Sequence, residues 1–252
     1  MPSDIKEQLR NNFLMQDFIE NDQLSDSILQ YHRMAKTYAR VENSIAVLSD
    51  LRERVSYIYY GGIAQTLGIG TAGECHAIHS IWEEEVFSLF TNAEMEKRHV
   101  DELRFLHFLK SVPRVRRQDY FLCSYLHATN LQKGLVCIKH RIFYVGYQSN
   151  GSVRLALCLY DMTADKETPS SIINTVTGER LLLQQYDCRG ILSKREKAVL
   201  RLIDEGKLSK EISSTLSISI HTVNRHRQNI LAKLNVANSI EACRIASALG
   251  LL

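Results

Sequence analysis

The last sixty residues of this 252-residue chain contain four short helical segments with unusually clear start and stop signals. A hydroxyl or amide side chain followed three residues later by glutamate is the spacing of a helix-capping box. A glycine directly after a helix supplies the left-handed residue that ends it. The sequence therefore predicts a four-helix domain over residues 191–252. The signals are the pairs Ser193 with Glu196 and Asn238 with Glu241, and the glycines Gly206 and Gly250.

The third of these helices, residues 220–234, is predicted to have two chemically different faces. At 100° per residue, Val223, Ile230 and Leu234 lie within about 20° of one direction and form an apolar face. The opposite face is polar, and no Asp or Glu occurs from residue 216 to residue 234. Arg can read a guanine edge, and Asn or Gln an adenine edge, in the DNA major groove. The residues on this outward face are Asn224, Arg225, Gln228, Asn229 and Ala232.

A three-residue turn, Ser217 to Ser219, separates this helix from the one before it, which is the layout of a helix-turn-helix. The charge distribution agrees with a DNA partner. Residues 189–252 hold 11 Lys and Arg against 5 Asp and Glu, whereas residues 1–188 hold 20 against 23. A solvated helix in an ordinary bundle would also be polar outside, so the pattern alone leaves that alternative open.

The string LSKREKAVLRLIDEGKLSKEISSTLSISIHTVNRHRQNILAKLNV resembles the LuxR-type helix-turn-helix of bacterial regulators. Ser193 and Ser213 stand where Thr and Ala are common, and both changes are small. The resemblance implies that Lys210 and Thr222 touch DNA phosphates, that Asn224, Arg225 and Gln228 face base edges, and that Lys233 lies near the backbone. His226 either touches DNA or orients the helix. The matching residues are Leu192, Arg195, Glu196, Gly206, Lys210, Glu211, Ile212, Ser219, Thr222, Val223, His226, Asn229, Ile230, Lys233 and Leu234.

The rest of the chain is predicted to be mixed helix and antiparallel sheet, so the fold class is α+β. Residues 1–40 show helical periodicity, and two β-rich runs follow from residue 44 to residue 60. Helices are predicted over residues 77–90 and 94–110. Three strands follow over residues 119–161, the last two joined by a two-residue turn at Asn150-Gly151. Residues 166–190 are either a linker or a further hairpin turning at Thr177-Gly178.

This order of elements resembles a PAS domain, a small antiparallel sheet cupping a pocket beneath helices, over residues 41–165. The strand end at Tyr160-Asp161-Met162-Thr163 is similar to the Asp-Ile-Thr ending through which PAS domains pass signals. The resemblance implies signalling roles for Asp161 and Thr163, although both also simply end a strand. A receiver domain is rejected because the chain begins with helix. A lactone-binding sensor is rejected because Trp82 is the single tryptophan.

No cofactor and no enzymatic activity are expected. The stretch Glu74 to His79 contains nitrogen, sulfur and oxygen donors, but a polar loop explains it better than a metal or haem ligand set. Phosphate-binding glycine loops and the GxSxG and HExxH motifs are missing from the sequence. No secretory signal is visible, the longest apolar run has six residues, and the cysteines have no framework spacing, so we expect a cytoplasmic protein without a membrane partner.

These features together predict a transcription regulator that binds double-stranded DNA as a homodimer and responds to a small-molecule signal. Dimerisation is expected through residues 1–40, the sheet or the last helix. A contact with RNA polymerase is a further expectation. Two rivals stay open: a constitutive DNA binder whose N-terminal domain only oligomerises, and a protein-interaction module with no role on DNA.

Overall fold

The structure is a computed structural model that describes residues 3–20, 24–130, 134–165, 168–184, 191–234 and 236–252. The chain forms two compact units. The larger unit, Phe13–Gln185, contains an antiparallel sheet with helices, and the smaller unit combines Met1–Asn12 with Tyr186–Leu252, where helices are found over residues 194–248. The predicted α+β class, with an N-terminal sheet region and a C-terminal helical domain, is confirmed. No helix within the described ranges is long and apolar enough to cross a bilayer.

Nine α-helices and eight strands are found in the described ranges. The helices are α1 Ser3–Leu14, α2 Leu24–Val41, α3 Gly62–Leu67, α4 Glu84–Phe87, α5 Asn92–Ser111, α6 Lys194–Asp204, α7 Ser209–Leu216, α8 Ile220–Leu234 and α9 Ser239–Ala248. The strands are β1 Ile45–Asp50, β2 Val55–Tyr60, β3 Cys75–Ile78, β4 Tyr120–Asn130, β5 Gly134–Tyr147, β6 Val153–Thr163, β7 Ser171–Asn174 and β8 Arg180–Leu182. A 3₁₀ helix spans Arg114–Asp119. The strands form one sheet in the order β3-β2-β1-β6-β5-β4-β7-β8, with every neighbouring pair antiparallel.

Helix α2 lies on one face of the sheet because it presents small residues to it. Ala35 and Ala39 are buried there against Ala46, Leu157 and other side chains from β1, β2 and β6. These small residues let the C-terminal half of the helix approach the strands closely, while Ile28 and Tyr31 pack against the same cluster from its N-terminal half. This packing explains the helical periodicity of the N-terminal region, which the structure divides between α1 and α2.

The opposite face of the sheet packs against a buried ionic cluster on α5. The guanidinium of Arg98, 2% exposed, donates from Nη1 to Glu102 Oε2 at 2.9 Å and lies 3.7 Å from Glu83 Oε1. Two sheet tyrosines complete the cluster, since Tyr160 OH donates to Glu83 Oε1 at 2.5 Å and Tyr144 OH to Glu102 Oε1 at 3.0 Å. Burial raises the pKa of Glu83, and the Arg98 charge and the Tyr160 hydrogen bond oppose that effect.

Two local predictions are wrong in their details. Residues 75–78, predicted as the approach to a helix over residues 77–90, form strand β3, and the helix there is only α4. The turn at Asn150 and Gly151 does join β5 to β6, but only Gly151 has a positive φ, +89°. Gln148 N–H donates to Ser152 O and Gly151 N–H to Gln148 O, so the loop has three residues rather than two. The Asn150 side chain accepts from Ser152 N–H instead of the residue itself adopting positive φ.

Residues 166–190 are predicted to be either a linker or a hairpin, and their described part contains a hairpin. Strands β7 and β8 pair through Ile172 with Leu181, and Gly178 at φ +73° makes the turn between them.

Cys188 lies outside the described residues. The other five cysteines are free thiols, and no group of three or more His, Cys, Asp or Glu in the described ranges is arranged to hold a metal ion. Most of the stretch from Glu74 to His79 forms the edge strand β3.

We expect Arg98→Met to lower the free energy of unfolding of the larger unit by about 3–5 kcal/mol, because two buried carboxylates lose their cation. Trp82 fluorescence in a urea titration measures this, since the single tryptophan lies in that unit. Arg116→Met is the matched control, because its pair with Asp119 is on the surface and its loss should leave the midpoint unchanged. An unchanged midpoint for Arg98→Met would show that the ionic cluster does not stabilise the unit.

His107 on α5 should make the larger unit less stable in acid. Burial, together with the nearby Lys110 charge, lowers the pKa of this 7%-exposed imidazole to about 4. Between that pH and about 6.5 the unfolded chain binds a proton that the folded chain does not, so stability falls by about 1.4 kcal/mol per pH unit on acidification. Urea titrations from pH 7 to pH 5 should show a correspondingly shallower fall for His107→Gln. Equal slopes for the two proteins would contradict this role.

Candidate DNA-binding surface

Helix caps set the positions of the C-terminal helices. Ser193 Oγ accepts from Glu196 N–H at 3.2 Å, and Glu196 Oε2 accepts from Ser193 N–H at 2.7 Å, so the predicted capping box at α6 is present. Asn238 Oδ1 likewise accepts from Glu241 N–H at 3.0 Å at the start of α9. Gly206 and Gly250 have φ of +79° and +69°, as their predicted role as helix terminators requires.

The turn between α7 and α8 is tightened by serine side chains. Ser217 adopts the left-handed conformation at φ +54° and ends α7. Ser213, which stands where the LuxR-type pattern commonly has Ala, donates from Oγ to Ile218 O at 2.6 Å. Ser219 Oγ then accepts from Thr222 N–H at 3.0 Å as α8 begins. The one departure inside α7 therefore contributes a hydrogen bond that holds the turn.

The two faces of α8 are as the angular arithmetic predicts. Val223, Ile230 and Leu234 are at most 1% exposed and pack inside the domain. The outward face is free of acidic side chains and carries hydrogen-bonding groups suited to base edges. Its residues Asn224, Arg225, Gln228, Asn229 and Ala232 are all exposed.

The residues predicted to contact phosphates are on α7 and α8, and they differ in exposure. Lys210 is exposed in the first turn of α7, and Thr222 is half-buried in the first turn of α8 with its hydroxyl 2.8 Å from Ser219 Oγ. His226 is also half-buried, and its Nδ1 is buried without a hydrogen-bond partner among the described residues. Lys210 is therefore accessible to a partner, whereas the Thr222 hydroxyl is shared with the turn before α8.

Lys233 has an internal partner that the sequence did not reveal. Its Nζ donates to Glu196 Oε2 at 2.7 Å, and the Glu196 side chain is only 4% exposed. Burial works to raise the pKa of Glu196, but the hydrogen bonds from Lys233 and Ser193 outweigh it and lower the pKa. An ammonium has three donors, so this contact gives Lys233 a structural role and leaves donors for the predicted phosphate contact.

Arg227 is a second cation with an internal role. Its Nη2 donates to Ser239 Oγ at 3.0 Å and its Nη1 to Ser209 Oγ at 3.4 Å, which links α8 to the beginnings of α9 and α7. Its position on the helical wheel, 40° from Val223, is the signal that could have separated it from the outward-facing Arg225. From the sequence, Arg225 is assigned to base edges and Arg227 has no assigned role.

Helix α1 supplies a contact inside the smaller unit. Gln8, 5% exposed, donates from Nε2 to Leu234 O at 2.8 Å, the carbonyl at the end of α8. The last carbonyls of a helix have no partner within it, so Gln8 satisfies one that would otherwise need water. The helical periodicity of residues 1–40 predicted a helix here but did not indicate that it would contact the end of α8.

The predicted signalling residues lie in the larger unit, at the end of β6. Asp161 accepts from Arg141 Nη2 at 2.8 Å and from Nε at 3.1 Å, and Arg141 also pairs with Glu42 after the end of α2. Burial raises the pKa of Asp161, opposed by Arg141. Thr163 Oγ1 accepts from Asp165 N–H at 3.2 Å. Asp161 therefore connects the end of the strand to the end of α2 through one arginine.

The capped helices and the tight turn before α8 form a helix-turn-helix. Residues 190–246 match the family described as bacterial regulatory proteins, luxR family. The C-terminal domain is thus a LuxR-family domain, as the sequence resemblance implied.

Known relatives share this domain. The regulatory protein SdiA of Escherichia coli K12 is 48% identical over 60 residues, 24% of this chain and 25% of SdiA. The transcriptional activator AnoR of Acinetobacter nosocomialis is 48% identical over 61 residues, 24% of this chain and 26% of AnoR. The chain therefore matches about a quarter of the length of these relatives. A phage VqmA–DPO complex is 15% identical, over 88% of this chain and 90% of that chain, at a TM-score of 0.30, too low to support a conclusion about the larger unit.

Lys233→Met should destabilise the pairing of α8 with α6 by about 1–2 kcal/mol, since the nearly buried Glu196 carboxylate loses its cation but keeps the Ser193 amide. Amide hydrogen exchange followed by mass spectrometry should show faster exchange in α6 and α8. The exposed Lys207 offers the control variant Lys207→Met, which should exchange like the parent protein. If Lys233→Met exchanges as slowly as Lys207→Met and the parent protein, the ion pair does not stabilise the contact between α6 and α8.

Proposed function

We propose that this chain is a sequence-specific DNA-binding transcription regulator that acts as a homodimer and is controlled through its N-terminal unit. The observation that carries the proposal is the exposed, acid-free face of α8 within a LuxR-family domain. A helix of this kind fits the major groove, and its polar side chains match the donor and acceptor patterns of base edges. The relatives' names, a regulatory protein and a transcriptional activator, are consistent with this role.

Base reading is assigned to Asn224, Arg225 and Gln228. All three are exposed, and among the described residues their side chains have no hydrogen bond that would need to break before DNA is bound. Backbone contacts are assigned to Lys210, Thr222, His226 and Lys233. Phosphate contacts position the domain on the duplex, while base contacts supply the preference for sequence.

Homodimerisation is proposed because one helix-turn-helix covers a short stretch of DNA and two copies related by a two-fold axis would read a longer site. Control is proposed to act through a PAS-like N-terminal unit that responds to a small molecule. The antiparallel sheet with helices on both faces supports this, as does the link from Asp161 through Arg141 to α2. Asp161 and Thr163 would pass the signal onward, the regulator would act in the cytoplasm, and an activator would also contact RNA polymerase.

Selection from random double-stranded oligonucleotides with the full chain, with and without cell extract, tests this function. We expect an enriched motif made of two related half-sites. An enrichment that needs the extract would favour signal control over constitutive binding. If a properly folded protein enriches no motif under either condition, the DNA-binding function is refuted and the protein-interaction alternative takes its place.

Single substitutions distinguish base contacts from phosphate contacts. Arg225→Ala or Gln228→Ala should weaken binding to the selected site by about 1–3 kcal/mol and relax the preference at one base position. Lys210→Ala should weaken all sequences alike and reduce the slope of log affinity against log salt by about 1. Arg201→Ala, which removes an exposed cation from α6, is the charge-matched control and should leave the preference unchanged. Unaltered affinity and preference for Arg225→Ala would place the reading face elsewhere.

A further inference from the structure

A cavity of about 250 Å³ opens on the larger unit between the last turns of α2, the end of β2 and the turn that leads into β3. We call it the α2 cleft. Its volume is slightly below the range of about 300–1,000 Å³ usual for drug-sized ligands, so it suits a smaller molecule. The residues that matter to its chemistry are Lys36, Ala39, Arg40, Asn43, Tyr59 and Glu74.

The shape of the α2 cleft depends on a glycine. A Cβ atom on Gly61 would lie 2.3 Å from Ala39 O and 2.4 Å from Ser44 O, so only glycine allows the end of β2 to approach α2 this closely. Ala39 is itself buried against the sheet. These close backbone contacts define one wall of the cleft, and this wall is therefore preformed rather than built from mobile side chains.

The charge in the α2 cleft is positive. Lys36 and Arg40 are one helical turn apart, so both project from the same face of α2 into the cleft. Neither forms a hydrogen bond or an ion pair with another described residue. Like charges at this spacing repel each other, and an anion between them would relieve that repulsion.

The nearby acids do not cancel this charge. Glu74 is the single acidic residue among those that line the cleft, and its carboxylate lies 4.0 Å from His76 Nε2. Glu42, the next acid beyond α2, is bound by Arg141. The lining therefore keeps a formal charge of +1, from Lys36 and Arg40 against Glu74.

The floor of the α2 cleft is the apolar ring of Tyr59, whose hydroxyl already has a hydrogen-bond partner. Tyr59 is 8% exposed, and its OH lies 2.6 Å from His32 Nδ1. Burial lowers the pKa of His32, which favours the neutral ring that accepts this hydrogen bond. The donors left for a ligand are the two cations and the Asn43 amide, all at the α2 side, while Ala39 and the Tyr59 ring offer apolar contact.

We propose that the α2 cleft binds a small organic oxyanion, with its carboxylate or phosphate between Lys36 and Arg40 and its apolar body over Tyr59. The site lies on the α2 face of the sheet, whereas the Arg98 cluster lies on the opposite face. The proposal concerns binding at this cleft and does not rest on the DNA-binding function.

Titration of the isotope-labelled full chain with benzoate, acetate and inorganic phosphate, followed by amide NMR shifts, tests the proposal. The amides of Gly61, Gly62 and Gly73 should shift in a saturable way. Benzoate binding more tightly than acetate would show that the apolar floor contributes. Phosphate binding more tightly than both would identify a phosphate-bearing ligand.

Variants separate a specific site from general charge attraction. Lys36→Met and Arg40→Met should each weaken binding of the best probe about tenfold, whereas Arg33→Met, an exposed cation on α2 outside the cleft, should not. Ala72→Phe, at an exposed position of the lining, should block binding while leaving both cations in place. Equal weakening by Arg33→Met, or no saturable shift at the three glycines with any probe, would overturn the proposal.

Discussion

The DNA-binding unit depends on how α8 is held by its own basic side chains. A helix that presents a polar face to DNA has only its apolar stripe for packing, and Val223, Ile230 and Leu234 are a narrow stripe. Arg227 widens the attachment by bonding to serines at the beginnings of α7 and α9. Lys233 adds the ion pair with the capping glutamate of α6. The same positive charges that suit a polyanion therefore also fix the helix that reads it.

Counting charges along the sequence could not predict that these cations also hold α8 in place. The helix boundaries, caps and buried stripe of the C-terminal domain followed from the sequence because each rests on local spacing within one or two turns. The partners of Arg227 and Lys233 could not be predicted in this way, because Ser239 and Glu196 lie on other helices. The composition of an acid-free stretch also does not show in which direction its cations point. The Gln8 contact with Leu234 was beyond sequence reasoning for the same reason, because 226 residues separate the two.

In the larger unit, runs of β-branched and aromatic residues predicted the central strands but not the edge strand β3. Strands β1 and β6 are buried on both faces and read as continuous β-rich runs. Strand β3 is an exposed edge with no hydrophobic alternation, so its polar sequence suggested a loop leading into a helix. The buried Arg98 cluster was equally hidden, because Glu83, Arg98 and Glu102 look like solvent-exposed charges until the fold places Tyr144 and Tyr160 above them. Buried charge of this kind is visible only through the partners that compensate it.

The internal roles of Arg227 and Lys233 bear on the number of copies that DNA binding needs. Arg227 is engaged inside the unit and Arg225 is assigned to base edges, so Lys210 and Lys233 are the lysines among the proposed backbone contacts, and Lys233 is shared with Glu196. Each neutralised phosphate contributes a slope of about 0.9 in log affinity against log salt, so two contacts change affinity only about tenfold between 50 and 200 mM salt. Such a small electrostatic contribution argues that one domain alone binds weakly and that a second copy on the same duplex provides the missing contacts. The proposed homodimer is thus supported by how α8 is attached, as well as by the short stretch of DNA that one helix can cover.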